Sequence, residues 1–357
     1  MKTFLTASAL ALACAMPAFA ADPSLTEAGD AVTLKTVTQT LPTLTQYTKV
    51  EQPNYAQVPA WSNDRVKIEA STWAEYGVQA ADILNLVRQG QIDVGAAPLA
   101  QVSGQVPFLE IADLAGLSPD VKTAKAVTDA VIDSSNEALS KYGIRIIGTY
   151  PFPANVMFCK GDIKGLADLK DRKVRTFGPS QNDLVQSFGA QTVSIGFPEV
   201  YGALETGVAD CAVTAALSGN AAKWYEVTES MLNIPVSWGT GGYYVSQAWW
   251  DSLDPAVQNF VGDLYAKISD EEWALAAAGT QDGVACNTGD AANCKIGQVV
   301  TGDQAMSVTN ASDADTAALK EKLSSVVIPA WVGRCGADCA EKFDAIVGPI
   351  TGLKATN

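Results

Sequence analysis

The chain of 357 residues carries 39 acidic residues, 24 basic residues and no histidine, which gives a formal net charge of −15 at pH 7. This acidity argues against nucleic acid as a partner. The absence of histidine excludes Ser/His/Asp and Cys/His nucleophilic machinery, histidine general bases and most catalytic zinc sites. No pair of the scattered acidic residues stands out for acid/base catalysis, so we expect neither an enzyme nor a cofactor.

The N-terminus has the pattern of a secretory signal peptide. An apolar run covers residues 4–15, and the small-residue triplet Ala-Phe-Ala closes the segment at residues 18–20. We therefore predict a signal peptide over residues 1–20, export to the periplasm and a soluble mature chain. A lipoprotein is the alternative, because residues 11–14 imitate a lipobox ending at Cys14, but alanine stands where leucine is usual.

The first part of the mature chain alternates between strand and helix patterns. Residues 31–38 alternate and are rich in Thr and Val, and residues 66–70 and 92–97 also have strand patterns. Between the last two, an apolar stripe that begins at Ala80 predicts an amphipathic helix. Residues 41–62 are polar and contain three prolines, so we expect this segment to be irregular.

Two segments that contain aromatic residues follow further along the chain. A helix over residues 123–140 and a strand over residues 144–148 lead to Tyr-Pro-Phe-Pro at residues 150–153. The two prolines end that strand, and a new strand follows at residues 155–158. The second segment, residues 234–245, has three glycines beside Trp and Tyr, which suits a strand that bends close to a ligand.

The middle of the chain contains the most informative pattern. Arg175 lies at the exit of a short predicted strand, where its planar fork of donors suits a carboxylate held by two parallel hydrogen bonds. Ser180 with Asp183 forms a weak capping box for the helix that follows. A second helix over residues 198–206 begins with proline, and residues 209–214 form the next predicted strand.

The last third is mainly helical. A long helix starts with Asp-Pro, and its apolar stripe extends the prediction over residues 254–278. Residues 280–297 have a loop composition. Residues 316–325 and 337–346 are predicted to form the closing helices.

The mature chain retains six cysteines, an even number that indicates disulfides in an exported protein. Many connectivities are open. Short-range pairing favours Cys286 with Cys294 and Cys335 with Cys339, which leaves Cys159 with Cys211 to join two predicted strands. A zinc site is the rival interpretation, but the chain lacks histidine and the cysteine spacings are not CxxC pairs.

Three segments, DLKDRKVR, FPEVYGALETGVAD and AAKWYEV, occur in this order along the chain. Their order and spacing resemble the substrate-binding proteins of TRAP transporters, the DctP family. The resemblance covers about residues 66–270 and is most specific over residues 166–226. It implies an α/β, two-lobe periplasmic binding protein fold, with a ligand cleft between the lobes and a long helix that spans both.

The resemblance also implies a division of the chain. It assigns residues 21–152 to the first part of lobe I and residues 153–239 to the first part of lobe II. Residues 240–282 return to lobe I as a strand and the long spanning helix, and residues 283–357 form the C-terminal part of lobe II. We expect a monomer.

Four positions carry the family's ligand site. Arg175 matches the carboxylate-clamping arginine, with KVR where KIR or KLR is usual, and Phe197 keeps the family's aromatic residue. Thr214 stands where asparagine is familiar, and Ala154 stands where sialic-acid-binding relatives carry a second arginine. A single cation favours a monocarboxylate. The alternative is that Arg175 only pairs with an acid of the protein.

Trp73, Gln101 and Trp238 are further candidate ligand contacts. Ligand contacts in open sheets gather where strands end in loops, which is where Trp73 and Gln101 are predicted. Trp238 lies in the glycine-rich segment. For Trp73 the alternative role is to cover the edge of its lobe.

The resemblance implies a periplasmic solute-binding protein that captures a small organic acid and passes it to a TRAP membrane permease. The ligand would be a keto, hydroxy or aromatic monocarboxylate. A sensory binding protein that presents its ligand to a membrane-bound receptor is one alternative, and a binding protein for an ATP-driven importer is another. An enzyme acting on the bound acid would need a positioned acid/base pair.

Overall fold

The computed structural model describes residues 21–356, so the signal peptide expected at residues 1–20 lies outside the described residues. The strands form two sheets with helices packed against them. The strands are β1 Val32–Val37, β2 Val66–Ser71, β3 Val94–Pro98, β4 Ile144–Tyr150, β5 Asn155–Cys159, β6 Lys173–Thr176, β7 Gln191–Ser194, β8 Cys211–Ala215, β9 Ser230–Ser237, β10 Gly241–Ser246 and β11 Ser307–Asn310.

The strands are ordered β2-β1-β3-β10-β4 in the first sheet and β11-β9-β5-β8-β6-β7 in the second. In the first sheet, β10 runs antiparallel to both of its neighbours. In the second sheet, β5 runs antiparallel to β8 and β9. The chain passes from the first sheet to the second between β4 and β5 and returns between β9 and β10. We name the halves lobe I and lobe II, and the predicted two-lobe α/β fold is confirmed.

Helices cover both sheets and connect the lobes. They are α1 Gln52–Trp61, α2 Trp73–Tyr76, α3 Ala80–Arg88, α4 Leu99–Val102, α5 Val121–Ser140, α6 Pro179–Ser187, α7 Val200–Glu205, α8 Ala216–Ala221, α9 Gln247–Ser252, α10 Pro255–Asn287, α11 Asp313–Lys322, α12 Ile328–Cys335, α13 Ala337–Ile346 and α14 Gly348–Thr351. Shorter turns are π-helical at Tyr47–Glu51 and Leu323–Val327 and 3₁₀-helical at Pro107–Asp113, Leu166–Leu169, Phe197–Glu199, Trp224–Glu226 and Gly302–Gln304.

The long helix α10 has 33 residues and contacts β4 in lobe I and α8 in lobe II. Phe260 lies in the lobe I core. Near the other end of α10, a Cβ atom added to Gly283 would come within 2.5 Å of the main-chain nitrogen of Leu217, so this close approach requires glycine. Beside it, the buried Asn287 side chain donates to the Ala216 carbonyl at 2.9 Å. The helix therefore spans both lobes, as predicted.

The expectation that residues 41–62 are irregular is wrong, because a π-helical turn continues there into α1. Pro53 directly follows the π-helical turn, in which the Gln52 N–H donates to the Tyr47 carbonyl, so it lies where the regular α-helical hydrogen-bond pattern is already altered. Pro59 lies inside α1 and removes one helical hydrogen-bond donor. Tyr55 and Val58 are buried and attach the helix to lobe I. Tertiary packing outweighs the unfavourable local sequence.

Two helix boundaries also differ from the predictions. The long helix continues to Asn287, so the segment expected to be a loop at residues 280–297 begins as helix. Ser180 and Asp183 form no capping box at the start of α6. Proline fixes the backbone of its first turn instead, and the main-chain N–H of Ser180 donates to the Glu110 carboxylate of lobe I at 2.5 Å.

The three favoured disulfides are present, which confirms that prediction. Cys159–Cys211 joins residues that face each other across β5 and β8. The other two bonds close short loops, Cys286–Cys294 after α10 and Cys335–Cys339 between α12 and α13.

The C-terminal region contacts both lobes. Strand β11 pairs with β9 of lobe II. From α12, the Arg334 guanidinium binds Glu110 of lobe I at 3.1 Å and Asp183 of lobe II at 2.7 Å. The Trp331 indole N–H donates to the Pro107 carbonyl of lobe I at 3.0 Å. No helix within residues 21–356 combines the length and the apolar character needed to cross a membrane.

Candidate ligand-binding cleft

A cleft lies between the lobes. Both lobes and the crossing between β4 and β5 contribute to its walls. The lining residues are Gln39, Thr40, Leu44, Trp73, Pro98, Gln101, Tyr150, Phe152, Asn155, Arg175, Phe177, Phe197, Thr214 and Ser218.

Arg175 is the charged residue among those that line the cleft in the described part of the chain. It lies on β6 and is only 1% exposed. Its Nε donates to the Ile195 carbonyl at 3.1 Å, and its Nη1 donates to the Val213 carbonyl at 3.0 Å. Within residues 21–356, no carboxylate lies at ion-pair distance from the guanidinium. The protein thus fixes the orientation of Arg175 with main-chain acceptors and leaves its charge uncompensated.

Burial lowers the pKa of Arg175 from 12.5 to about 9, and the Glu199 carboxylate offsets part of this effect. The guanidinium therefore keeps its charge at neutral pH. A desolvated cation without an anionic partner is costly, and an entering carboxylate would remove that cost. The electrostatics of the site favour an anion.

Aromatic side chains surround the guanidinium. Its central carbon lies 5.4 Å from the centre of the Phe177 ring and 6.0 Å from that of Phe197. The Phe197 ring is held in turn by Trp224, at a centroid distance of 5.2 Å. On lobe I, the buried indole of Trp73 donates to the Ala96 carbonyl at 3.0 Å, which satisfies its polar atom. The cleft therefore offers flat apolar walls beside one cation.

The lobes touch at the mouth of the cleft. The Gln79 side chain of lobe I donates to the Glu199 carboxylate of lobe II at 3.4 Å. Nearby, Gly178 faces Ala100 so closely that a Cβ on the glycine would lie 2.9 Å from the Ala100 Cβ. The structure is thus a closed form.

A buried carboxylate holds the second crossing between the lobes. Asp113 of lobe I accepts the main-chain N–H of Trp238 at 2.8 Å and that of Thr240 at 3.2 Å. Burial raises the pKa of Asp113 from 3.8 to about 7, although these hydrogen bonds act in the opposite direction. The crossing is therefore fixed by a carboxyl group that titrates near neutral pH.

The family model for bacterial extracellular solute-binding proteins, family 7 (DctP), matches residues 45–330. The chain belongs to this family. The resemblance read from the sequence motifs is thereby confirmed.

The curated relatives are distant in sequence. A solute-binding protein of Albidiferax ferrireducens is 26% identical over 55% of this chain and 59% of its own length. The ectoine-binding periplasmic protein TeaA of Halomonas elongata is 24% identical over 51% of this chain and 52% of its own. The chain spans about half the length of the curated relatives it matches.

Solved structures of DctP-type proteins share the fold. DctP7 of Bordetella pertussis, an extracytoplasmic solute receptor binding pyroglutamic acid, has a TM-score of 0.78 at 19% identity over 89% of this chain and all of that one. A TRAP periplasmic solute-binding protein from Rhodoferax ferrireducens with bound malonate has a TM-score of 0.77 at 19% identity over 89% and 98%. At these identities the likeness shows the fold alone.

Five of the six candidate ligand contacts line one cleft, and the sixth does not. Arg175, Phe197 and Thr214 line it from lobe II, and Trp73 and Gln101 line it from lobe I. Trp238 points away. Its indole N–H donates to the Ser118 carbonyl at 2.9 Å, and its ring packs with Ala154 and Trp273. The sequence motif placed Trp238 at the crossing. Its main-chain N–H is held there by Asp113, and its side chain lies in the core.

Sequence reasoning missed most of the polar wall. Asn155, next to the alanine considered as the site of a lost cation, lines the cleft and donates to the Ser237 hydroxyl at 2.9 Å. Gln39, Thr40 and Ser218 also line it, and each has a buried side-chain oxygen without a hydrogen-bond partner in the described part of the chain. Among these missed residues, only Gln39 and Thr40 had a sequence feature that could have indicated a ligand contact: they follow β1, and ligand sites gather at strand ends.

Proposed function

We propose that this protein is the periplasmic receptor of a TRAP transporter, which captures a small organic acid by its carboxylate at Arg175 and delivers it to the membrane permease. One observation carries the proposal. Arg175 is buried, oriented by two main-chain carbonyls and without an acidic partner among residues 21–356. The ligand's carboxylate supplies that partner.

The charge and shape of the cleft support a monocarboxylate. A second carboxylate would need a second cation to be desolvated without a large penalty, and Arg175 is the charged residue in the lining of the described chain. Phe177, Phe197 and Trp73 provide flat walls for a planar or cyclic body. The pyroglutamic acid bound by DctP7 is an acid of this class.

Binding and closure are linked in this scheme. The acid first meets Arg175 on lobe II in the open form. Closure then brings Trp73 and Gln101 of lobe I against the ligand and removes water from the charge pair. A ligand shifts the equilibrium only by its differential affinity for the closed form, so closure reports occupancy to the permease.

A thermal-shift screen against a panel of carboxylic acids tests the proposal first. A ligand that binds only the native state raises the melting temperature by mass action. Calorimetry with the best acid then compares variants at Arg175. We expect Arg175→Ala to abolish binding and Arg175→Lys to weaken it by about 100-fold or more, since one ammonium cannot replace the two-pronged donor.

Arg88→Ala on the exposed face of α3 is the matched control and should bind like the parent protein. Unchanged affinity in Arg175→Lys would refute the proposal that Arg175 binds the carboxylate through two hydrogen bonds. Delivery is tested separately: uptake of the identified acid should stop when the permease genes are deleted. Continued uptake would overturn the transport role.

A further inference from the structure

Gln39 combines three unusual features. It follows β1 at the cleft wall, and its main chain has a φ of +50°, a left-handed conformation that is uncommon for residues other than glycine. Its side chain is only 1% exposed. Its Oε1 has no hydrogen-bond partner among residues 21–356. Strained backbone and an unpaired buried acceptor tend to occur where a ligand completes the site.

The other end of the same amide is firmly held. Gln39 Nε2 donates to Glu51 Oε1 at 2.9 Å. Glu51 is itself fully buried and accepts the Tyr243 hydroxyl at 2.7 Å and the Thr38 hydroxyl at 2.5 Å. The Gln39 main-chain carbonyl accepts the N–H of Trp73 at 2.9 Å, which fixes the backbone as well.

This arrangement decides which amide atom is left for the cleft. Because Glu51 takes the NH₂ group of Gln39, the carbonyl oxygen is the atom without a partner. An amide oxygen accepts hydrogen bonds and cannot donate them. A hydroxyl group in the same place could serve either kind of ligand atom, as those of Thr40 and Ser218 can.

We propose that Glu51 is a positioning residue that turns the Gln39 carbonyl toward the ligand, so that the site selects acids carrying an N–H or O–H donor. This inference rests on the proposed function and narrows its ligand class. The carboxylate binds Arg175 on lobe II and the donor binds Gln39 on lobe I. Lactam, imide and hydroxy acids fit, and acids with a hydrocarbon or simple keto body leave Gln39 unpaired.

Matched pairs of acids test the proposal by calorimetry. One pair is 5-oxoproline and 5-oxotetrahydrofuran-2-carboxylate, in which a ring N–H becomes an ether oxygen. A second is mandelate and phenylacetate, which differ by one hydroxyl. For each pair that binds, we expect the donor-bearing acid to bind at least about tenfold more tightly, because its partner leaves a buried acceptor unpaired.

Variants at Gln39 and Glu51 test which residues distinguish the two acids of a pair. Gln39→Leu removes the acceptor, and Gln39→Asn shortens it while tolerating the left-handed backbone. Both should reduce the ratio of the two affinities to about one. Glu51→Gln keeps an oxygen for the Gln39 NH₂ group and should retain the ratio, whereas Glu51→Leu should lose it. Gln52→Leu on the exposed face of α1 should leave the ratio unchanged.

The outcomes separate this inference from the proposed function. Equal affinities within the pairs in the parent protein, or a ratio that survives both Gln39 variants, would overturn the inference and leave carboxylate capture standing. Loss of the ratio in Glu51→Gln would overturn the positioning role of Glu51. If the protein binds no acid of any pair or of the wider panel, the proposed function fails and the inference falls with it.

Discussion

Two arginines show how differently the protein uses a cation. Arg334 on α12 ties Glu110 of lobe I to Asp183 of lobe II, so its charge is compensated within the fold. Arg175 has main-chain acceptors and no acid at ion-pair distance in the described chain. The first arrangement stabilises the native state. The second leaves a positive charge available to an anion that the described chain does not supply.

This contrast predicts effects of different size for the same substitution in the ligand-free protein. Arg334→Met leaves the 1% exposed Glu110 carboxylate without its cation, and we expect the free energy of unfolding to fall by about 2–4 kcal/mol. Arg175→Met removes an uncompensated charge along with two hydrogen bonds, so we expect a change within about 1 kcal/mol. Urea denaturation of both variants measures the difference. Equal losses would mean that Arg175 serves the fold.

The sequence predicted some residues of the site better than others. Arg175 and Phe197 lie in a motif whose order along the chain could be recognised. Gln39 could not be found in this way, because neither its left-handed backbone nor its contact with Glu51 has a local sequence pattern. Trp238 was misplaced since the choice between cleft and core depends on Asp113, a residue 125 positions earlier in the chain.

At the scale of elements, the sequence predicted several strands but missed β7, β11 and helix α1. Alternating patterns gave β1 and β2 almost to the residue. Helix α1 was missed because the energetic effect of a proline depends on its place in the helix, which is known only once the helix ends are known. The strand pair β5 and β8 was correctly expected to be joined by Cys159 and Cys211.

The crossing between β9 and β10 is the element whose stability should depend on pH. Asp113 caps it with a carboxyl group whose pKa is raised to about 7 in the folded protein by burial, with a smaller contribution from Glu110. The unfolded chain has the ordinary value near 3.8. Between these values the folded protein holds the proton and the unfolded chain releases it. The stabilisation from this group is therefore full at low pH and is lost as the pH rises through about 7.

Asp113→Asn should remove that dependence. The asparagine does not titrate. Between pH 5 and pH 8, the free energy of unfolding of the variant should therefore fall by about 2–3 kcal/mol less than that of the parent. Urea denaturation at several pH values gives the comparison. Asp303→Asn on an exposed turn is the control and should follow the parent. If the free energy of unfolding has the same pH dependence in Asp113→Asn and in the parent, Asp113 is not the group responsible.

For the whole molecule, the decisive contacts are those between lobes at the mouth of the cleft. The sequence motifs gave the two lobes and the spanning helix but no information about whether the lobes touch. That depends on pairs from distant parts of the chain, such as Gln79 with Glu199 and Ala100 with Gly178. These contacts are small, as expected for surfaces that must separate to admit a ligand.

Gly178→Leu should therefore wedge the lobes apart. The glycine has an extended φ of −149°, so a side chain strains no backbone, and its new atoms meet Ala100 across the mouth. Overpacking costs about 1–3 kcal/mol, which predicts roughly 5- to 150-fold weaker ligand binding. The melting temperature without ligand should stay near the parent's because the open form feels no clash.

Ala100→Gly added to this variant should restore part of the affinity, and Gly333→Leu on an exposed helix face should leave it unchanged. Small-angle scattering should show the parent contracting with ligand and the wedge variant contracting less. Full affinity and full contraction in Gly178→Leu would mean that the ligand is bound without this closure.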